Sequence, residues 1–340
     1  MPVGAVNVTL SQTGERIATR VLSADAAGIA EAARVLGAGG LVAFPTETVY
    51  GLGTDATNAE AVARLYEAKE RPAFNPLIAH VAHVPAAREI GRFNGTALRL
   101  AEKFWPGPLT LVLPVLPDCA VCDLARAGLD TVALRVPAHP LAHPLLKTFG
   151  KPVVAPSANR SGHVSPTTAD HVMTDLRGRI DAVLDGGPAP LGLESTIVDC
   201  TGERPLSLRL GTIPRGVIED ALNGTLDDAP LHEGEAPGAP GRLPSHYATR
   251  AQLRLDVQEV QPGEALLAFG APQPKGAERA AFTLDLSPTG DLIEAAANLF
   301  AHLRALDATD AHSIAVAPIP PRGLGEAIRD RLVRAAAPRT

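Results

Sequence analysis

PTETVYGLGTDATNAEAVARLYEAKERPAFNPLIAH, residues 45–80, organises the first two thirds of the chain. The apolar run Leu41–Phe44 before it reads as a short buried strand ending at Pro45, which cannot donate to a sheet ladder. Small polar residues, a tyrosine and two glycines follow. Thr57-x-x-Glu60 then has the spacing of a capping box, predicting a helix that buries Val62, Leu65 and Tyr66. Pro72 cannot continue that helix and biases Arg71 toward extended backbone. A strand, a polar loop and a capped helix in this order put the loop at the carboxyl end of a strand, where open α/β sheets hold ligands.

Outward from this stretch the same alternation repeats. Ala26–Leu36 has helical periodicity, with Asp25 to cap it and Gly37 to stop it. Leu77–Val81, Leu109–Val115, Thr131–Val136, Val153–Ala155 and Thr196–Val198 read as strands. Helices are expected at Ala97–Phe104, Leu141–Phe149 and Thr167–Leu176, the last with Ser165 as cap and Pro166 at its first position. This predicts an α/β domain over residues 15–222. Residues 223–249, rich in Pro, Gly and acidic side chains, read as a linker. In residues 250–340, strands at Glu264–Phe269, Phe282–Leu286 and Ser313–Ala317 alternate with helices through Leu292–Leu303 and Gly325–Ala336. That pattern predicts a smaller parallel-sheet domain. Gly323 and Gly325 alone do not make a dinucleotide fingerprint.

Composition narrows the function. A length of 340 residues suits two cores rather than one. The net charge of −6 argues against a protein that wraps a nucleic-acid backbone, so any polyanion held here is expected to be small. Three cysteines, Cys119, Cys122 and Cys200, cannot pair evenly into disulfides. Cys119 and Cys122 have C-x-x-C spacing, but no second pair or histidine partner completes a zinc site, and they read as ordinary thiols. No apolar run reaches the length of a membrane span, and the first twenty residues lack a signal-peptide centre. The expectation is a cytoplasmic protein without membrane contact.

Several constellations carry polar chemistry. The hydroxyls of Thr46 and Thr48 suit a small polar ligand, and Gly51 and Gly53 would allow it close approach to backbone. A tight structural turn explains the same residues. Lys69 and Arg71, two apart in an extended stretch, would share a face and converge on polyphosphate, although basic residues at a helix C-terminus also simply answer its dipole. Asn75 is held between two proline turns. In APSANRSGHVSP, residues 155–166, Ser157, Asn159, Ser161 and Ser165 offer polar groups before a helix N-terminus, a common anion site. Arg135 and Arg209 lie in strands, where an inward arginine needs an anionic partner and an outward one meets solvent. Glu194, Ser195 and Thr196 follow a turn and can line the same pocket. No P-loop, kinase signature, nucleophile elbow or metal triad is present in the sequence, so ATP use would rest on a different cradle.

In order, PTETVYGLG, K-x-R-P-x-x-N-P-L-I with His80, FWPGPLT, VALRVP, PSAN-x-SG, ESTIVD and LRLG resemble the YrdC-like family of threonylcarbamoyl-AMP synthases. The trailing SHYA segment and the C-terminal unit resemble the longer, two-domain form of that family. The resemblance implies an open, twisted, mixed sheet with helices around a large cleft, plus a Rossmann-like parallel-sheet domain. It implies a nucleotidyltransferase that condenses L-threonine, bicarbonate and ATP to threonylcarbamoyl-AMP, releasing pyrophosphate, with Mg²⁺ arriving on the ATP phosphates rather than in a protein metal site. By motif, Lys69 and Arg71 would be catalytic. Lys69, Arg71, Asn75, Thr131, Ser157, Asn159, Ser165, Arg209 and Tyr247 would bind ATP. Thr48, His80, Arg135, Ala155 and Ser195 would surround threonine. The partners implied are the tRNA threonylcarbamoyl-transferase machinery downstream and weak contact with RNA. Thr249 stands where the family linker has proline, which would loosen residues 223–249 as a lid. The competing readings are a carbamoyl-adenylate former, as in hydrogenase-maturation carbamoyltransferases, and a double-stranded RNA or tRNA-binding module.

Overall fold

The computed structural model describes residues 18–72, 75–230 and 246–338. The expected domain start at residue 15, the linker residues 231–245 and the last two residues lie outside the described ones. Among the described residues, eleven strands form one mixed sheet. Its order is Arg20–Leu22, Ala182–Leu184, Val42–Pro45, Tyr50–Asp55, Val153–Val154, Ile78–His80, Thr131–Arg135, Leu109–Pro114, Thr196–Asp199, Leu206–Arg209 and Asp227–Asp228. Most of these strands are buried on both faces, which explains why they read as continuous apolar runs rather than alternating ones.

Tyr50–Asp55 corrects the sequence reading, which placed a loop there. It pairs antiparallel with Val42–Pro45, Pro45 opposite Tyr50 and Val42 opposite Gly53, so PTETVYG is a hairpin with Glu47 and Thr48 at its tip. Two glycines and six buried positions left no alternation to read. The glycines answer packing rather than a ligand. A Cβ on Gly53 would sit 2.6 Å from the Phe44 ring and 2.9 Å from Val153, and one on Gly51 3.1 Å from Ala155.

Two helix starts also differ. The helix Ala59–Lys69 is capped by Asn58, which accepts from the backbone N–H groups of Glu60 and Ala61, while Thr57 bonds Asp55 instead. Ala169–Leu176 is capped by Thr168, because the hydroxyl of Ser165 is engaged by Glu194. At the start of the expected linker, Asp227–Asp228 joins the large sheet beside Leu206–Ser207.

The C-terminal sheet is wholly parallel, in the order Gln252–Arg254, Ser313–Val316, Ala265–Ala268, Phe282–Asp285. The first of these strands was not anticipated. Side chains of Ala265 and Leu267 face the helices Leu292–Asp307 and Leu324–Ala336, and those of Leu266 and Ala268 face Val257 and Val260. The helices are shared, for their apolar cluster also takes in Val49, Val164 and Leu193 of the large domain. Gly192 marks the closest approach. Its φ is +67°, and a Cβ there would lie 2.4 Å from the Ala297 carbonyl oxygen. Gly192→Ala is expected to lower stability by about 2 kcal/mol or more, read as a fall in thermal midpoint, since it adds left-handed strain to a backbone clash.

Candidate active site

Between loops at one end of the sheet and His246 and Tyr247 of the returning linker lies an open cleft. Nine of the fourteen side chains expected from sequence line it: Thr48, Arg71, His80, Arg135, Ala155, Ser157, Ser195, Arg209 and Tyr247. Strand register brings them together. His80 and Arg135 end adjacent parallel strands and lie in register, Ala155 follows Val153–Val154, and Arg209 closes Leu206–Arg209. Thr48 reaches the same space from the hairpin tip, where Thr46 Oγ1 lies 2.8 Å from its hydroxyl.

Five expected residues stand outside that lining. Lys69 is the last residue of its helix, followed by Glu70 at φ +52°, so it does not share an extended stretch with Arg71. Its buried ammonium donates to the carbonyls of Ser157 (2.6 Å) and Asn159 and fastens that loop. Asn75 and Asn159 are each 1% exposed, and their side-chain oxygens have no hydrogen-bond partner among the described residues. Ser165 donates to Glu194 Oε1 at 2.7 Å. Thr131 lies at the opposite end of the strand that carries Arg135, four residues away along it.

Both strand arginines point inward, and each has its own partners. Arg135 Nη2 donates to Glu47 Oε1 at 2.7 Å, and its Nε donates to the Gly107 carbonyl at 3.3 Å. Arg209 donates to the Ser195 carbonyl at 3.1 and 2.9 Å and to its hydroxyl at 3.0 Å, while Thr110 Oγ1 lies 2.7 Å from that hydroxyl. Arg71 bonds the carbonyl of Pro76 at 3.2 Å. Burial pulls Arg71 and Arg209 down to about 10, which leaves both charged at neutral pH. Burial and the Arg71 charge likewise push Lys69 well below its ordinary value.

Two carboxylates face these cations, and each is already bonded to an arginine. Glu47 holds Arg135, and Glu194 holds Arg331 Nε at 2.9 Å. Burial alone would raise Glu194, but the charges of Arg331 and Arg209 and the Ser165 hydroxyl hold it at about 2. The balance of the cleft is positive, as a polyanion site requires. Among the described residues no group of three or more His, Cys, Asp or Glu side chains is arranged to hold a metal. No helix of the described chain is long and apolar enough to cross a membrane.

Sequence reading missed Glu47, His246 and Arg331. Arg331 had a signal, since it falls among Ile328, Leu332 and Ala335 on the buried face of its helix. Thr249, expected to loosen the linker, is 5% exposed and donates its hydroxyl to the Ala251 carbonyl at 2.6 Å. Its neighbours are tied to both domains. Ala248 N–H donates to the Gly162 carbonyl at 2.7 Å, and His246 N–H to that of Arg334 at 3.3 Å.

Residues 34–211 match the family described as Telomere recombination, and residues 213–337 match the Threonylcarbamoyl-AMP synthase, C-terminal domain. A threonylcarbamoyl-AMP synthase of Bacillus subtilis is 41% identical over 331 residues, covering 94% of this chain and 95% of its own. The chain belongs to the threonylcarbamoyl-AMP synthase family. A member from Pyrococcus abyssi is 40% identical over 310 residues, covering 87% of this chain and 90% of its own. The crystal structure of P. abyssi Sua5 complexed with L-threonine has a TM-score of 0.85 at 36% identity, covering 94% and 98% of the two chains. The mixed sheet and separate parallel sheet are therefore the two-domain architecture of this family.

Burial, reinforced by the Arg135 charge, holds His80 at about 3, and burial holds His246 at about 3. Both lie below the ordinary 6.5, so the unfolded chain takes up protons that the folded one refuses. The stability they contribute is present above about pH 6.5 and lost as pH falls toward about 3. His80→Gln removes one of these protons. Between about pH 5.5 and 4.5 its unfolding free energy should fall by about 1 kcal/mol less than that of the parent chain, measured by denaturant titration.

Proposed function

We propose that this enzyme condenses L-threonine, bicarbonate or carbon dioxide, and ATP to threonylcarbamoyl-AMP with release of pyrophosphate, supplying the group that tRNA threonylcarbamoyl-transferase machinery places on adenosine. The observation that carries this reading is one cleft with two chemically different ends. Arg71 and Arg209, backed by Lys69, offer fixed positive charge for phosphates. Arg135, Thr48, His80 and Ser195 offer a guanidinium and small polar groups of amino-acid size.

At the second end Arg135 clamps the threonine carboxylate, and Glu47 sets the plane of its guanidinium. The neutral threonine amine forms an N–C bond to carbon dioxide and releases one proton to solvent, and the resulting carbamate is already an anionic nucleophile. A carbamate oxygen attacks the α-phosphorus in line. The new O–Pα bond forms as the Pα–O bond to the β-phosphate breaks, and pyrophosphate leaves. Such a step depends on positioning and charge neutralisation rather than a strong protein base.

Lys69 has two of its three N–H groups on carbonyls, and the third remains for a phosphate oxygen. Ser157, Ser165, Thr131 and Tyr247 complete the nucleotide's surroundings, and Ala155 packs against threonine. Mg²⁺ would arrive on the triphosphate and would supply charge neutralisation there. The side-chain oxygens of Asn75 and Asn159, unpartnered among the described residues, would offer that cation hard, neutral ligands. The three free cysteines fit a reducing cytoplasm.

The test mixes purified protein with ATP, Mg²⁺, L-threonine and labelled bicarbonate. A labelled adenylate that requires threonine is the expected product, and pyrophosphate release that ignores threonine overturns the reading. Lys69→Ala and Arg71→Ala should each lower turnover by about 100-fold or more while the chain stays folded. Arg135→Met should raise KM for threonine about 30-fold, from the loss of roughly 2 kcal/mol of charge-assisted bonding.

A further inference from the structure

Arg331 belongs to the C-terminal domain, yet it is wholly buried against the large one. Its guanidinium meets four groups. Nε donates to Glu194 Oε2 at 2.9 Å, and Nη2 donates to the Leu210 carbonyl at 2.7 Å, one residue beyond Arg209. Its Cζ lies 5.5 Å from the centre of the Tyr247 ring, which also stacks on Phe300 at 5.3 Å. Asp330 takes the remaining Nη1 at 2.6 Å. Glu194 lines the cleft, and its other oxygen accepts from Ser165.

A carboxylate in the wall of a polyphosphate site is an obstacle, because two anions in a poorly solvated cleft repel strongly. Glu194 nevertheless holds Ser165 in place. An arginine fork is suited to neutralise such a group while bonding neighbouring backbone. We propose that Arg331 is a positioning residue of the nucleotide site, neutralising Glu194 so that the cleft accepts phosphates. The C-terminal domain thereby supplies part of the site's charge balance and not only a lid. This rests on the reading of the cleft as an ATP site.

The threonine end has anchors that Arg331 does not touch, Glu47 on Arg135 and Thr110 on the Ser195 hydroxyl. A charge role for Arg331 therefore separates the two ligands, whereas mere loosening of the fold would weaken both. Binding of the non-hydrolysable analogue AMPPNP with Mg²⁺, and of L-threonine, is measured by calorimetry on the full chain, with thermal melting to confirm folding. In R331M the analogue's Kd is expected to rise at least about ten-fold while that of threonine stays within about three-fold. In E194Q/R331M the analogue's Kd should return to within about three-fold of the parent value. Equal losses for both ligands, or no recovery in the double variant, overturn the proposal. Should R331M fail to fold, R331K decides. It keeps the charge without the fork and should bind the analogue within about three-fold of the parent, and a ten-fold loss in folded R331K overturns the assignment. Failure of the parent chain to bind the analogue overturns the ATP reading and this proposal with it. A failure confined to the Arg331 variants overturns this proposal alone.

Discussion

Four basic side chains buried around one cleft set the terms for the structure near them. Lys69, Arg71, Arg135 and Arg209 are each at most 9% exposed, and desolvated cations must find hydrogen-bond acceptors or lose their charge. The chain meets that need mainly with carbonyls of adjoining loops: Ser157 and Asn159 for Lys69, Pro76 for Arg71, Ser195 for Arg209. Carbonyls stabilise the charge without cancelling it. The loops are fixed by the cations they serve, and the positive potential survives for a substrate anion.

The two buried carboxylates extend the same logic. Glu47 orients Arg135 from the hairpin tip, and its own second oxygen accepts from the Ala138 N–H at 3.2 Å. Glu194 fastens Ser165 and is answered by Arg331 from the other domain. Domain docking and site electrostatics are therefore one arrangement. Apolar contact supplies the docking area through Val49, Val164 and Leu193, while a second, half-buried bridge from Arg304 to Asp175 at 2.7 Å fixes its register.

Much of the fold was legible because strands buried on both faces leave short apolar runs, and helices leave a 3.6-residue stripe. The helix Ala26–Gly37, with Asp25 accepting from Gly28 N–H, forms where periodicity and cap chemistry agree. Tyr50–Asp55 was not legible, because its glycines lower strand propensity for a reason found only in Phe44, Val153 and Ala155 across the sheet. Thr57 and Ser165 misled the helix starts. Each has capping chemistry, but each hydroxyl is claimed by a carboxylate, that of Asp55 or Glu194, which local pattern does not reveal.

The sequence by itself determined the alternation of strand and helix, the residues at strand ends and, through the order of its motifs, the resemblance to a family of adenylate-forming enzymes. Those signals are local, since caps, periodicity and turns act over a few residues. The tertiary structure alone decided which charges meet. Arg331 and Glu194 are 137 residues apart, and Lys69 is 88 residues from Ser157. Nothing near either end of such a pair records its partner. The bond exists because strand register and the packing of Gly192 against a helix bring the two ends together.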